Sequence, residues 1–211
     1  MTSRAKVISV AAMVVVLAVA VRIGWVNAHA VTIPTEHYAM GEWVDLSGSY
    51  YDNLKQEDMA GYSMRVVDAQ TVSYEEFLNQ YAVDSPPDDK DLSDDGGDTI
   101  ILLTYEIKND SNDGGGIALF RHELIPERKN ASYRFDSDLW WLLQPQTKNQ
   151  ASGVALKKGT SYTLQVPFAI VYDPSYLKTY DQAKRTAVGE DRTFELALCN
   201  APVRKIIDVE L

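Results

Sequence analysis

Residues 160–172, TSYTLQVPFAIVY, form the clearest strand pattern in the chain. Apolar side chains stand at every second position from Tyr162 to Tyr172, with polar residues between them in the first half. Such an alternation is typical of a β-strand that buries one face in a core and exposes the other. Proline has no backbone N–H to donate, so Pro167 predicts that this strand lies at a sheet edge or contains a bulge.

Similar patterns predict further strands on both sides of this one. They lie at residues 41–46, 61–69, 99–109, 117–125, 192–199 and 203–211, and the LWWLL run at 139–143 predicts a short buried strand or a tight apolar turn. The sequence Ser73-Tyr74-Glu75-Glu76 is a capping box, which predicts a short helix to about residue 82. Alternating strands with so little helix between them indicate an all-β protein with antiparallel strands in two packed sheets.

The first thirty residues carry a targeting signal with two possible interpretations. Arg4 and Lys6 precede an uncharged run from Val7 to Val21, and the apolar span reaches 20 residues if the Arg22 side chain extends to the interface. This predicts a transmembrane helix with a cytoplasmic amino end, which anchors an extracytoplasmic domain to the cell membrane in a single pass. The alternative is a secretory signal peptide that is cleaved after Ala30, which would make the protein secreted.

The chain therefore divides into three predicted parts. Residues 1–30 are the anchor or signal segment, residues 31–60 are a tether with a first short strand, and residues 61–211 are the β-sandwich domain.

Composition and charge exclude several classes of function. The chain has 20 Lys and Arg against 30 Asp and Glu, a net charge of −10 at pH 7. Nucleic acid is therefore not an expected partner, because phosphate binding needs a basic surface. The single cysteine excludes an internal disulfide and a multi-cysteine metal cluster, and the sequence has no P-loop, nucleophile elbow or HExxH motif. We expect no catalytic residue and no bound cofactor other than calcium.

Four segments together resemble a known family. They are GYSMRVVDAQTVSYEEFLNQY, TIILLTYEIKND, GTSYTLQVPFAIVY and FELALCNAPVRKIIDVEL, which follow the N-terminal apolar segment in this order. The arrangement is similar to an uncharacterised, domain-of-unknown-function family of exported, membrane-anchored proteins seen mostly in Gram-positive bacteria. The resemblance covers about Gly61 to Leu211 and implies an immunoglobulin-like β-sandwich outside the cytoplasm. It carries over no catalytic residue.

An Asp-rich segment at residues 84–98 is the candidate metal site. Asp91, Asp94, Asp95 and Asp98 are possible calcium ligands, because calcium prefers carboxylate oxygens. An EF-hand loop that begins at Asp91 would need an acidic residue where Leu102 stands, so that motif is absent. The interpretation that we favour is a solvated acidic loop.

Aromatic side chains are the candidates for a binding surface. Trp140 and Trp141 are adjacent, so in a strand one of them would face outward as an anchor for a partner. The alternative is that both pack inside, since LWWLL is apolar throughout. Tyr172, Tyr176 and Tyr180 lie between two strong strands, where the loops of a sandwich commonly carry recognition.

Other reactive side chains have structural explanations. Cys199 follows an alternating strand and is expected to pack as a small apolar residue. His37 and His122 are possible acid or base groups. His122 and Glu123 are neighbours in a predicted strand, so they point to opposite faces and cannot form a catalytic pair.

These observations favour a non-enzymatic, membrane-tethered module that binds an unknown extracytoplasmic protein or surface component. One alternative is an exported hydrolase that acts on a cell-wall polymer through two carboxylates brought together by the fold. The other is a calcium-responsive adhesion module that uses the Asp-rich segment.

Overall fold

The computed structural model describes residues 3–30, 32–51, 58–81, 99–127, 132–147, 152–171 and 191–211. The chain forms two compact units, Met1–Ile33 and Pro34–Leu211. The first unit is a helix and the second contains the sheet.

Helix α1 (Ser3–Ala28) makes up most of the first unit. Within the part of the chain that the structure describes, no helix has both the length and the apolar character needed to cross a bilayer. The prediction of a single-pass membrane anchor is therefore wrong. The uncharged run before Arg22 has 15 residues, whereas a hydrocarbon core needs roughly 20. The Arg22 guanidinium lies 4.9 Å from the centre of the Trp25 ring, so it is held beside the helix.

The second unit is built on one sheet of nine described strands. They are β1 (Thr35–Ala39), β2 (Val44–Asp45), β3 (Tyr62–Ser73), β4 (Thr99–Asn109), β5 (Glu123–Pro126), β6 (Ser132–Phe135), β7 (Thr160–Val171), β8 (Thr193–Cys199) and β9 (Arg204–Glu210). Their hydrogen-bonded order is β1-β9-β8-β5-β6-β7-β4-β3-β2. The pairs are antiparallel except β1 with β9, which is parallel. An all-β protein with one short helix was predicted, and the structure is mostly β, with three α-helices among the described residues.

The segment from β1 to Tyr50 brings the two edges of the sheet together. After β1 has paired with β9, the Gly41 N–H donates to the Val66 carbonyl of β3 at 2.8 Å. β2 then pairs with β3, and Tyr50 forms an isolated bridge with Ala201 just before β9. The sheet is therefore mixed and nearly closed, and two strands lie in the predicted tether. Because one pairing order connects all described strands, an immunoglobulin-like sandwich is not confirmed and stays a prediction.

The main core fills the inner face of this sheet. On β4 every second residue from Ile101 to Ile107 is buried, and three of the four cross-strand partners on β7, from Leu164 to Phe168, are buried with them. The residues between them face outward. The alternation that predicted these strands is thus the alternation between the core and the outside, and β4 has the predicted bounds.

Two short helices cover one end of the outer face of β3, β4 and β7. They are α2 (Tyr74–Gln80) and α3 (Ser137–Leu143), and beneath them lies a second, smaller core of buried side chains: Val72, Phe77, Ile100, Leu102 and Leu139. The predicted capping box of α2 is confirmed. The Glu76 N–H donates to Ser73 Oγ at 3.1 Å, and the Ser73 N–H donates to the Glu76 carboxylate at 2.8 Å.

The LWWLL run lies in helix α3, so the prediction of a strand or tight turn is wrong. The helix begins after Asp136, whose carboxylate accepts from the N–H groups of Asp138 and Leu139, both at 3.0 Å. An acidic residue at this position satisfies donors that the first helical turn leaves free. Adjacent side chains of a helix point in different directions. Leu139 therefore packs in the second, smaller core, while Trp140 packs in the main core.

Pro167 lies in an interior strand, although a sheet edge or bulge was predicted. β7 pairs with β4 on one side and with β6 on the other, but β6 ends at Phe135, opposite Phe168. The side of β7 that faces β6 is therefore open at Pro167, where its carbonyl accepts from the Asp136 N–H at 3.0 Å. The nitrogen of a strand residue points to the same side as its carbonyl, so no ladder donor is missing.

Candidate functional site

An uncharged groove lies on the outer face of the sheet where α2 and α3 end. Its volume is about 370 Å³. It is lined by Tyr81, Thr104, Leu143, Gln144, Thr163, Leu164 and Gln165. Tyr81 follows the last turn of α2 and Gln144 follows the last turn of α3, while the other polar groups stand on β4 and β7.

The strand period places the polar floor of the groove. Thr104 of β4 lies directly opposite Gln165 of β7, and Thr163 stands two residues before Gln165 on the same face. Their sequence neighbours Leu103, Tyr105 and Leu164 are buried. Because side chains of a strand alternate between faces, residues that bury the core necessarily direct these three outward. The polar floor of the groove is therefore held by the sheet.

Tyr81 closes one side of the groove through hydrogen bonds. Its hydroxyl donates to Gln165 Oε1 and accepts from Gln80 Nε2, the latter at 3.3 Å. Burial raises the pKa of the Tyr81 phenol, and the hydrogen bond to Gln165 partly opposes that rise. The phenol therefore stays protonated at neutral pH, and it keeps a neutral hydroxyl on the groove wall.

The chemistry of this lining is that of hydrogen bonding. Among its seven residues, all within the described part of the chain, none is Asp, Glu, His, Lys, Arg or Cys. Hydroxyl and amide side chains donate and accept hydrogen bonds, but they do not act as general acids or bases near pH 7. The groove can hold an uncharged polar molecule in a fixed orientation.

A second groove, of about 410 Å³, lies at the neighbouring strands β8 and β9. Its lining is acidic and consists of Glu127, Thr193, Phe194, Glu195, Asp208, Val209 and Glu210. Glu195 and Asp208 lie directly opposite each other across the ladder, and Asp208 pairs with His37 Nδ1 at 2.9 Å. Among the described residues, no three His, Cys, Asp or Glu side chains are grouped so that they could hold a metal ion.

The structure places two of the predicted binding residues inside the protein. Trp140 is 3% exposed, and its ring centre lies 5.8 Å from that of Phe135. Trp141 is partly buried and packs against the main core. Neither lines the groove, although α3 contributes Leu143 to it. The other predicted residues, Tyr172, Tyr176, Tyr180 and the calcium candidates Asp91, Asp94, Asp95 and Asp98, lie outside the described residues.

The remaining reactive side chains are separated from both grooves or are paired. His122 is buried, with Nδ1 3.3 Å from the Tyr105 hydroxyl, and burial lowers its pKa to about 4. Glu123 instead accepts from Arg134 Nε at 3.2 Å. Cys199 is buried and its Sγ donates to the Val203 carbonyl at 3.5 Å. These contacts stabilise the fold and present no reacting group to a ligand.

Sequence reasoning missed the groove because it searched for ionisable and aromatic residues. Thr163 and Gln165 were recognised only as the polar half of an alternating strand. The available signal was the long β4 pattern, in which Thr104 interrupts a run of apolar residues on the outer face. A polar residue that follows outward-facing Ile100 and Leu102 indicates where the covering layer ends.

A family model described as a domain of unknown function (DUF5028) matches residues 35–205, more than half of the chain. No curated protein matches the sequence. Among solved structures, the chain is similar to a secreted protein from Mycobacterium tuberculosis, MPT63, with 13% identity and a TM-score of 0.41. That similarity covers 85% of this chain and 100% of that chain.

Proposed function

The chain belongs to the family described as a domain of unknown function (DUF5028), and from that premise we propose that it is a non-enzymatic binding module whose ligand site is the uncharged groove. One observation carries the proposal. The groove is an open depression of about 370 Å³ in which hydroxyl, amide and aromatic groups converge, and convergent polar groups are what fixes the orientation of a ligand in small-molecule sites.

The lining favours an uncharged, hydroxyl-rich ligand such as a short glycan. Threonine hydroxyls and glutamine amides both donate and accept, and sugar hydroxyls do the same. The Tyr81 ring and Leu143 supply apolar contact. A charged ligand would lose its hydration without gaining an opposite charge among the described lining residues. The surface component that we expect as partner is therefore a neutral glycan.

We propose that the first thirty residues export the protein as a cleaved signal. The support is the basic start at Arg4 and Lys6, the 15-residue apolar run and the Ala28-His29-Ala30 sequence. Helix α1 ends at Ala28, so the bond after Ala30 lies beyond the helix. Mass analysis of the mature protein is expected to find an amino terminus at residue 31. An intact terminus on exported protein would contradict this proposal.

Calorimetry with neutral disaccharides tests the groove. We expect the full chain to bind a disaccharide such as diacetylchitobiose or cellobiose. The Gln165→Ala variant should bind it roughly three- to tenfold more weakly, the loss expected for one hydrogen bond. Ser161→Ala is the matched control, because Ser161 lies on the same face of β7 outside the groove.

Two results would contradict the groove assignment. One is the absence of binding to every neutral disaccharide at millimolar concentration. The other is a Gln165→Ala variant that binds as tightly as the parent protein while Ser161→Ala also stays unchanged.

A carboxylate-dependent hydrolase is the second candidate, and the acidic groove is the observation that favours it. Glu195 and Asp208 lie directly opposite each other on antiparallel strands, so their Cβ atoms are about 4.5–5.5 Å apart and both side chains lie on the same face of the sheet. Most glycoside hydrolases use a pair of carboxyl groups that flank the bond to be cleaved. Release of reducing ends from cell-wall polymer, lost in both Glu195→Gln and Asp208→Asn, would support it. No turnover by the parent protein would exclude it.

A further inference from the structure

Trp43, just before β2, is an exposed aromatic residue whose ring lies beside Arg65 of β3 and Lys108 of β4. Its side chain is 37% exposed. Two cations lie over its ring, with Arg65 Cζ 4.6 Å and Lys108 Nζ 4.7 Å from the ring centre. Cation contacts of this kind fix the ring in place while part of its surface remains in solvent.

Arg65 is itself held from several directions. Its Nε donates to Glu106 Oε2 at 2.8 Å and its Nη2 lies 2.6 Å from the same oxygen. Its Nη1 donates to the Gly41 carbonyl at 3.3 Å, in the turn that precedes Trp43. The guanidinium therefore ties the turn between β1 and β2 to the face of the sheet, and Trp43 is ordered before any ligand arrives.

One cross-strand row connects Trp43 to the uncharged groove. Thr163, which lines the groove, lies opposite Glu106 on β4, and Glu106 lies opposite Arg65 on β3. Neighbouring strands are about 4.8 Å apart, so two steps cover about 10 Å from the groove to the residue beneath the Trp43 ring. The row is solvent-accessible along its length, since Arg65 and Glu106 are each 31% exposed.

Charge along this row is balanced. Arg65 pairs with Glu106, and Lys108 Nζ lies 3.6 Å from an Asp110 carboxylate oxygen. The groove lining adds no charge. This face is thus a neutral zone in a chain with a net charge of −10. The net negative charge of the chain repels an anionic polymer, and the balanced charges of this face do not attract a basic one. The complementary occupant is uncharged.

We propose that the groove is one end of an extended site, in which an uncharged glycan strand crosses β7, β4 and β3 and stacks a distal sugar ring on Trp43. This inference rests on the proposed function and adds the length and direction of the ligand. An added peptide strand does not fit the same row, because β4 is hydrogen-bonded on both sides and offers no free edge. The row therefore offers a ligand polar side chains and one aromatic ring. The polar side chains can hydrogen-bond sugar hydroxyls, and the ring can stack on the face of a sugar.

The test compares a short and a long neutral glycan on the full chain. By calorimetry, chitohexaose should bind at least about tenfold more tightly than diacetylchitobiose, because only the longer ligand reaches Trp43. Trp43→Ala should lose that advantage and leave diacetylchitobiose binding unchanged. Trp43→Phe should retain part of it. Gln165→Ala, in contrast, should weaken binding of both ligands.

Phe120→Ala is the matched control. Phe120 is also an exposed aromatic residue, at 51%, with the Arg121 guanidinium 5.0 Å from its ring centre, but it does not stand on β3, β4 or β7. We expect this variant to bind both glycans as the parent does.

The outcomes separate the two proposals. If diacetylchitobiose binds but chitohexaose binds no tighter, or if Trp43→Ala keeps the full affinity for chitohexaose, the extended site is overturned and the groove stands. If only a hyaluronan hexasaccharide of the same length binds, the neutral occupant is overturned. If neither neutral glycan binds, both proposals fail.

Discussion

At the scale of single residues, His122 shows how burial changes the acid–base behaviour of a side chain. Its imidazole is 2% exposed and lies in the core beside the Tyr105 hydroxyl. Burial disfavours the charged form, which lowers the pKa of His122 from its ordinary value of 6.5 to about 4. Histidine is a frequent catalytic base, but this one is neutral, enclosed and not part of the lining of either groove.

The buried His122 predicts a loss of stability in mild acid. Between pH 6.5 and 4 the unfolded state binds a proton that the folded state does not, so the free energy of unfolding falls as the pH falls through this range. Urea denaturation should give a value about 2 kcal/mol lower near pH 5 than near pH 7.5 from this group alone.

A His122→Gln variant isolates the effect. It should lose most of the pH-dependence of the free energy of unfolding in this range. If the free energy of unfolding depended on pH equally in the His122→Gln variant and in the parent protein, the assignment of this effect to His122 would be refuted.

At the scale of secondary-structure elements, α2 depends on its cap because it has only seven residues. Isolated helices of this length do not form in water, so capping and packing of Phe77 stabilise it. Ser73→Ala should reduce the free energy of unfolding by about 1 kcal/mol, the usual effect of removing a serine cap. Ser137→Ala is the control, because the cap of α3 is Asp136 and not Ser137. Equal stability of the two variants in urea denaturation would contradict this prediction.

The β8–β9 ladder contains an unfavourable pair of like charges. Glu195 lies directly opposite Asp208, whose carboxylate lies 2.9 Å from His37 Nδ1. Like charges in this position destabilise a sheet, so Glu195→Gln should raise the free energy of unfolding by about 0.2–1 kcal/mol. High salt should reduce the gain. Glu123→Gln, which removes the partner of Arg134, should give no gain. A lower melting temperature for Glu195→Gln would refute the prediction.

Elements with strong alternation could be predicted from the sequence, and weakly patterned ones could not. β4 and β7 were predicted within one residue because alternate apolar side chains on both strands pack in the main core. β1 was missed since its five residues are mostly exposed and have no apolar face. The predicted strand at 117–125 contains a 3₁₀ turn at Leu119–Arg121 before β5, because local hydrogen bonds replace the ladder there.

At the scale of the whole molecule, the segment from β1 to β2 joins both edges of the sheet, and Gly41 stands at its turn. Its φ is +85°, a conformation that strains any residue with a Cβ atom. Gly41→Ala should therefore reduce the free energy of unfolding by roughly 1–2 kcal/mol. Hydrogen exchange should become faster at the amides of β1 and β2, where the edges meet.

Gly114→Ala is the control for this variant. Gly114 is also exposed, has open space where a Cβ would lie and does not have a positive φ. This variant should unfold as the parent does. A Gly41→Ala protein with parent stability would mean that the turn does not hold the edges together.

The pairing order and the groove could not be predicted, because both depend on residues that are distant in sequence. Tyr81 and Gln165 form one wall of the groove although 84 positions separate them. The pattern of each strand records which face is buried, but not which strand is its neighbour. Net charge had the same limitation: an acidic total gave no indication that one face carries balanced pairs.

The parallel pairing of β1 with β9 joins one of the first strands to be synthesised to the last one. Thr35 meets Arg204, which the ribosome adds 169 residues later. At roughly 5–20 residues per second, synthesis leaves the first strand waiting about 10–30 s for its partner. The β1–β9 pairing, and with it the joining of the two sheet edges, can therefore form only when translation is almost finished.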